Sequence, residues 1–221
     1  MTHMMLKDAL RYIGMPIEHA TEEMIQKVES AYELLERIAR PKATSQKVNI
    51  SLEGNEVTFE GTTLKVESSD LAKLLKNSKS CYIMAVTLGQ EVDRQIGMKQ
   101  RLDMLEAMVL DSCASVLIDK VCDEHEQELM KNLNGGEFFT MRFSPGYGNV
   151  PLEVQRPFLN ILQTEKIIGL TLTKTNMLVP TKSITAIVGI SNQKEKRQKS
   201  CGTCNLVKTC SYRKRGDSCG L

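Results

Sequence analysis

The chain has 221 residues, which is enough for one domain with a sizeable core, or for one domain with a small appendage. Its 29 lysine and arginine residues nearly balance 27 aspartate and glutamate residues, and 41% of its residues are hydrophobic. This composition excludes wholesale disorder, a collagen-like repeat and a pure coiled coil. No apolar run approaches the roughly 18 residues of a membrane-spanning helix, and the N-terminus lacks the plan of a signal peptide. We therefore expect a cytoplasmic protein with no membrane partner.

Apolar spacing predicts two helices at the start of the chain. The first covers residues 4–13 and ends at Gly14. The second begins after Thr21, whose hydroxyl suits the N-cap position, and ends before Pro41, because the residue preceding a proline avoids the helical conformation.

Alternating apolar residues over 47–67 then predict short antiparallel strands. Ser69 is the predicted N-cap of a helix over 70–77. The continuous apolar run 81–87 predicts a buried central strand.

The longest predicted helix covers residues 101–131, with Leu105 and Met108 on its apolar face. Asp111 and Asp119 lie two turns apart on this helix, and we expect them to be surface groups or groups that support a site. The three histidines are expected at solvated positions: His3, His19 and His125.

The remaining pattern predicts a strand over 138–143, a helix over 152–167 and strands over 170–172 and 184–190. Helices and strands are mixed without regular βαβ alternation, so the fold class is α+β, with an antiparallel sheet flanked by helices. We expect one such domain over residues 1–193 and a cysteine-rich tail over 194–221.

Residues 142–149 (RFSPGYGN) combine turn-forming residues with groups that suit a ligand. Arg142 can donate two hydrogen bonds to a carboxylate, and Tyr147 offers a flat ring with a hydroxyl. Gly146 and Gly148 permit close approach to the backbone. This set suits a carboxylate ligand with a planar group, and the alternative is an ordinary tight turn with a surface arginine.

Several short motifs, which include Met177 and Pro180, follow one another in a fixed order. The longer ones are 142–151 (RFSPGYGNVP), 162–169 (LQTEKIIG), 172–175 (LTKT) and 182–185 (KSIT). In this order they resemble the activation domain, which binds S-adenosylmethionine, of cobalamin-dependent methionine synthase. Residues 87–93 (TLGQEVD) are similar to free-standing bacterial forms of that domain.

The resemblance implies a role in reactivation, in which one electron and one methyl group convert inactive cob(II)alamin into methylcobalamin. The partner would be cobalamin-dependent methionine synthase or another corrinoid methyltransferase, which carries the cobalamin. A flavodoxin or ferredoxin-like protein would donate the electron. The chain would act in trans, because it lacks cobalamin-binding and substrate modules.

The resemblance also implies residue roles. Arg142 would bind the methionine carboxylate of S-adenosylmethionine, and Ser144 and Gly146 would offer backbone contacts. Tyr147 would lie against the ligand or the corrinoid and would be the catalytic residue. Lys174 departs from the family pattern, which has glutamate at that position.

The cysteines separate into two groups. Three are scattered and expected to be core thiols: Cys81, Cys113 and Cys122. Four lie close together in the tail: Cys201, Cys204, Cys210 and Cys219. Disulfides are not expected in a reducing cytoplasm. The tail cysteines can instead supply four thiolates for zinc or for an iron–sulfur cluster, and redox dithiols or an inert tail are the alternatives.

Charge is also uneven. The segment from residue 194 onward has eight basic and two acidic residues, so the preceding residues carry a slight negative surplus. The basic run 194–199 has no interleaved aromatics, which argues against nucleic acid as a partner and favours a solvated linker or an acidic docking partner.

Two other functions agree with these residues. One is an iron–sulfur electron-transfer protein that reduces corrinoid proteins without S-adenosylmethionine, and the other is a zinc-stabilised binding module without chemistry.

Overall fold

The structure is a computed structural model that describes residues 2–194 and 208–209. Its helices are α1 (His3–Ile13), α2 (Glu22–Ile38), α3 (Ser69–Leu75), α4 (Gln90–Leu102), α5 (Met104–Met130), α6 (Gln155–Leu162) and α7 (Thr164–Ile168). Its strands are β1 (Lys42–Glu53), β2 (Glu56–Phe59), β3 (Lys65–Glu67), β4 (Ser78–Thr87), β5 (Phe138–Phe139), β6 (Thr171–Leu172), β7 (Leu178–Val179) and β8 (Ser183–Ser191). The predicted α+β class is confirmed.

The main sheet has six strands in the order β3-β2-β1-β4-β8-β5, and β6 pairs with β7 in a separate hairpin. The pairs β1–β2, β2–β3, β5–β8 and β6–β7 are antiparallel. Every residue of β4 from Ser80 to Thr87 is buried, as expected for an interior strand with an unbroken apolar run. The predicted central strand is confirmed.

The described residues form two compact units. The first contains the segments up to Gln46, Ile83–Asn132 and Gln155–Thr185, and the second contains Lys47–Tyr82, Leu133–Val154 and the described residues from Ala186 onward. The expected division into residues 1–193 and 194–221 stays a prediction, because most of the tail lies outside the described residues.

In the first unit, α1, α2 and α4 each pack against α5. Thr21 caps α2, as predicted, by accepting a hydrogen bond from the Met24 amide at 3.3 Å. The buried face of α2 includes Val28 and Leu35. Because three helices pack against α5, buried residues occur around most of its circumference.

In the second unit, the part of β1 from Lys47 onward forms a meander with β2 and β3, and α3 covers this meander. Ile50 pairs with Phe59, and Val57 pairs with Val66. All four side chains are buried, so the alternation that predicted these strands marks the face packed into the core.

The expectation of core thiols is confirmed: Cys81, Cys113 and Cys122 are buried, and none of them forms a disulfide with another described residue. Burial raises the pKa of Cys81 and of Cys113 to about 12 in each case. These groups are therefore unreactive thiols at neutral pH.

The long helix predicted over 101–131 is confirmed as α5, but it begins at Met104, because α4 ends and α5 begins around Asp103. This residue has an extended backbone, and its carboxylate accepts hydrogen bonds from the amides of Leu105 and Glu106. Leu105 and Met108, which were predicted on the apolar face of this helix, are instead exposed, with 40% and 47% of their surface accessible. Aspartate at an N-cap competes with helix continuation for the same amides.

Two other helix boundaries differ from expectation. Ser68, not Ser69, caps α3 through a hydrogen bond from the Leu71 amide at 3.1 Å. The helix predicted over 152–167 is interrupted at Gln163, whose backbone is left-handed, with φ 48°. A left-handed residue cannot continue a right-handed helix, so α6 and α7 are separate.

The prediction that His125 is solvated is wrong. His3 and His19 are exposed, but His125 is half-buried, and burial lowers its pKa. Its Nε2 atom is buried without a hydrogen-bond partner in the described part of the chain.

Among the described residues, no helix combines the length and apolar character needed to cross a membrane.

Gly189 provides a test of packing in β8. A Cβ atom there would lie 2.6 Å from Leu75 Cδ2 and 2.7 Å from Ser78 Oγ. We expect Gly189→Ala to lower the free energy of unfolding by about 1–3 kcal/mol through overpacking. The control is Gly97→Ala in α4, where no heavy atom lies within 4 Å of the added Cβ.

The control substitution should raise stability by about 0.5–1 kcal/mol, because alanine is the better helix former. Urea denaturation of both variants measures the difference. Equal midpoints for the two variants would contradict the packing described for Gly189.

Candidate ligand-binding loop

Residues 138–143 run beside β8 but do not form the continuous strand that was predicted. Phe139 pairs with Ile190, and the Thr140 amide donates to the Gly189 carbonyl at 2.9 Å. Phe143 then exchanges two backbone hydrogen bonds with Ile187, at 2.9 and 2.8 Å. Residues 141 and 142 therefore both lie opposite a single residue, Val188. Two residues opposite one is the arrangement of a β-bulge.

The bulge determines where Arg142 lies. An extra residue bends its strand and changes the direction in which side chains point, and bulges often occur next to functional sites for this reason. Arg142 is half-buried, one residue before the pairing resumes at Phe143. The sequence pattern that predicted a strand over 138–143 does not reveal such an insertion.

The loop that follows, residues 144–150, closes on itself as the sequence predicted. The Gly146 amide donates to the Val150 carbonyl at 3.0 Å, and the Tyr147 amide donates to the Ser144 carbonyl at 3.1 Å. Gly146 has φ +86° and Gly148 has φ +55°, so both occupy the left-handed region that favours glycine.

The tip of this loop is open to solvent. Tyr147 exposes 69% of its surface and Gly146 is also exposed, whereas Ser144 is half-buried. The structure thus places the four predicted binding residues in or directly beside one loop of the second unit. A half-buried guanidinium, an exposed ring and exposed backbone are groups that can hold a polar ligand with a planar part.

Sequence reasoning missed the residues that support the loop. Asn149 contacts three successive residues at the start of α3. Its Nδ2 donates to Ser69 Oγ at 2.9 Å, and its Oδ1 accepts from Ser68 Oγ and from the Asp70 amide. Asn149 has the sequence appearance of a turn residue, and only the fold brings α3 beside it.

In the first unit, two of the sequence motifs are neighbours. Asp93, from the 87–93 motif, accepts hydrogen bonds from Thr181 Oγ1 at 2.8 Å and from the Lys182 amide at 3.3 Å. Ser183 Oγ donates to Thr87 Oγ1 at 2.8 Å. The 87–93 and 182–185 motifs therefore hold each other in place through polar side chains.

Lys182 extends this network into α5. Its ammonium contacts Asp111 Oδ1 and Ser115 Oγ, each at 2.9 Å, and only 13% of its side chain is exposed. Asp119 accepts a hydrogen bond from Tyr12 at 3.2 Å. Asp111 is a surface group, as expected, with a structural ion pair.

Gln155 supports the hairpin that carries the 172–175 motif. Its buried side chain accepts from Thr185 Oγ1 at 3.0 Å and donates to the Asn176 carbonyl at 2.7 Å. Lys174, which departs from the family pattern, is exposed in the turn between β6 and β7.

The predicted metal ligands lie outside the described residues: Cys201, Cys204, Cys210 and Cys219. Within residues 2–194 and 208–209, no group of three or more histidine, cysteine or acidic side chains could hold a metal ion. Of the basic run 194–199, only Lys194 is described, and it is exposed.

Comparisons with known proteins agree with the motifs. The family model described as "Vitamin B12 dependent methionine synthase, activation domain" matches residues 83–217. Among solved structures, a crystal structure of the MetH reactivation domain bound to AdoHcy matches with a TM-score of 0.62 and 13% sequence identity. The match covers 96% of this chain and 83% of that chain, and it shows a shared fold. A search of curated proteins found no match.

Proposed function

Because the chain belongs to the family of activation domains of vitamin B12-dependent methionine synthase, we propose that it reactivates a corrinoid methyltransferase in trans, using S-adenosylmethionine. The observation that carries the proposal is the 144–150 loop. It lies inside the family match and presents Gly146 and Tyr147 at its tip, directly after the half-buried Arg142.

Each loop residue has a role in this proposal. The guanidinium of Arg142 binds the ligand's carboxylate through paired charge-assisted hydrogen bonds. Ser144 and Gly146 present backbone groups to the ligand, and the ring of Tyr147 packs against the ligand or the corrinoid. The exposure of Tyr147 supports this role, because a ring that contacts a partner's cofactor must be reachable from solvent.

The reaction balances with one methyl group and one electron. When bound, S-adenosylmethionine supplies the methyl group from its sulfonium, and S-adenosylhomocysteine leaves. The electron comes from a flavodoxin or ferredoxin-like donor, and the partner's cob(II)alamin becomes methylcobalamin. The structural relative's bound AdoHcy is the product of such a methyl donation, which supports the choice of ligand.

The tail adds a second element to the proposal. Four cysteines within 19 residues can supply the thiolates of an iron–sulfur cluster or a zinc site. We favour a cluster, since it could pass the required electron towards the cobalt. A zinc site would give the tail a structural role only.

Binding of the methyl donor depends on Arg142 in this proposal. We expect Arg142→Ala to weaken the affinity for S-adenosylmethionine about 10- to 100-fold, because hydrogen bonds to a charged group are lost. Isothermal titration calorimetry measures both affinities. Arg101→Ala, at an exposed arginine of α4, is the matched control and should bind like the wild type. Equal affinities for wild type and Arg142→Ala would contradict the assignment.

Methyl transfer distinguishes the proposal from the two alternatives. With a purified corrinoid partner, a reductant and S-adenosylmethionine labelled in its methyl group, label should reach cobalamin only when this chain is present. We expect Tyr147→Ala to slow the transfer more than Tyr147→Phe, since the ring makes the proposed contact. Reduction of the corrinoid without labelled methyl would favour an electron-transfer protein.

Metal analysis tests the tail. After anaerobic purification, we expect iron and acid-labile sulfide in the wild type and their loss in a Cys201→Ser, Cys204→Ser double variant. Cys113→Ala, in the core, should keep the wild-type content. Zinc without iron would remove the electron-relay role, and absence of both metals would contradict a metal site.

A further inference from the structure

The contact between the 144–150 loop and α3 is more extensive than helix capping requires. Ser68 already caps α3 by accepting from the Leu71 amide at 3.1 Å. Asn149 nevertheless makes three further side-chain hydrogen bonds to residues 68–70, and its own amide donates to Asp70 Oδ2 at 3.1 Å. These bonds join the part of the loop that follows its tip to α3.

Gly148 shows how closely the loop approaches Asp70. A Cβ atom at Gly148 would lie 2.3 Å from Asp70 Oδ2 and 3.0 Å from Phe143 Cζ. No other residue type fits between the loop backbone and the Asp70 carboxylate without displacing one of them. The approach lets this carboxylate reach the amide of Asn149.

The loop is therefore held on both sides of its tip. Before the tip, Phe143 is paired with Ile187 through two backbone hydrogen bonds. After the tip, Asn149 is bonded to α3 through four. Between these anchors, Gly146 and Tyr147 remain exposed.

From this geometry we infer that Asp70 and Asn149 are positioning residues, which hold the 144–150 loop in the conformation that binds the methyl donor. The inference rests on the proposed function for the identity of the ligand. Neither residue needs to touch the ligand. A loop that is already ordered does not lose conformational freedom on binding, so its affinity is higher than that of a loose loop.

The test uses Asp70→Ala in the full chain, because Asp70 is exposed and its removal leaves the Ser68 cap of α3 intact. Loss of a charge-assisted hydrogen bond should loosen the loop. We expect S-adenosylmethionine to bind about 10-fold more weakly, and chymotrypsin to cleave after Tyr147 about 10-fold faster in the free protein. Mass spectrometry of the fragments identifies the cleavage site.

Two variants separate positioning from general stability. Asp70→Asn keeps an oxygen that can accept from the Asn149 amide, so it should restore most of the affinity and the slow cleavage. Thr21→Ala removes the N-cap of α2 in the first unit, which lowers global stability without touching the loop. It should leave both the affinity and the cleavage after Tyr147 unchanged below the melting temperature.

Gly148→Ala provides a second route to the same result. The added methyl displaces the Asp70 carboxylate, so cleavage after Tyr147, expressed relative to the rate for the same variant unfolded in urea because residue 148 adjoins the cleaved bond, should rise as in Asp70→Ala. Gly54→Ala, at a turn with φ +63° and no atom within 4 Å of the added Cβ, carries similar backbone strain without the displacement. It should keep the wild-type cleavage rate at Tyr147.

The two proposals fail in different ways. If the wild type does not bind S-adenosylmethionine, the proposed function is wrong, and the cleavage rates alone decide the positioning role. If Asp70→Ala shows the wild-type cleavage rate, the positioning role is overturned whether or not the ligand binds. It is also overturned if cleavage rises while the measured affinity stays the same.

Discussion

The two backbone hydrogen bonds between Phe143 and Ile187 determine where the candidate site begins. They resume the pairing with β8 after the bulge at residues 141 and 142, and they do so one residue after Arg142. The strand β8 supports the start of the loop through this pairing. Because Gly189 has no side chain, Leu75, Ser78 and Thr140 can pack closely against the backbone of β8. A side chain at Gly189 would push these neighbours away and move the loop's anchor with them.

Both units use an aspartate to hold a loop through backbone amides. In the second unit, Asp70 accepts from the amide of Asn149. In the first, Asp93 accepts from Thr181 and from the amide of Lys182. A carboxylate that accepts amide hydrogen bonds orders irregular backbone where no sheet or helix can satisfy it. Motif residues can thus be needed for the shape of a site without contacting its ligand.

Local chemistry explains which boundaries could be predicted. Thr21 and Gly14 delimit helices through their own side chain or backbone, so the first two helices agree with expectation. Asp103 also acts locally, as the N-cap of α5, and the predicted start of that helix lies two residues before it, whereas α4 was not predicted. His125 was misplaced because its burial depends on which helices surround α5, and spacing along one helix does not contain that information.

The sequence alone determined the α+β class, the buried β4 strand, the three core thiols and the order of motifs that resembles the activation domain. These properties follow from apolar periodicity, from turn chemistry and from short motifs, each of which is local in the chain. Tertiary structure decided that a bulge precedes the loop and that Asn149 and Asp70 meet across 79 positions of sequence. It also decided that Asp93 faces Thr181. Such contacts depend on how segments that are distant in sequence pack against each other, because a hydrogen bond between distant residues leaves no periodic pattern in either segment.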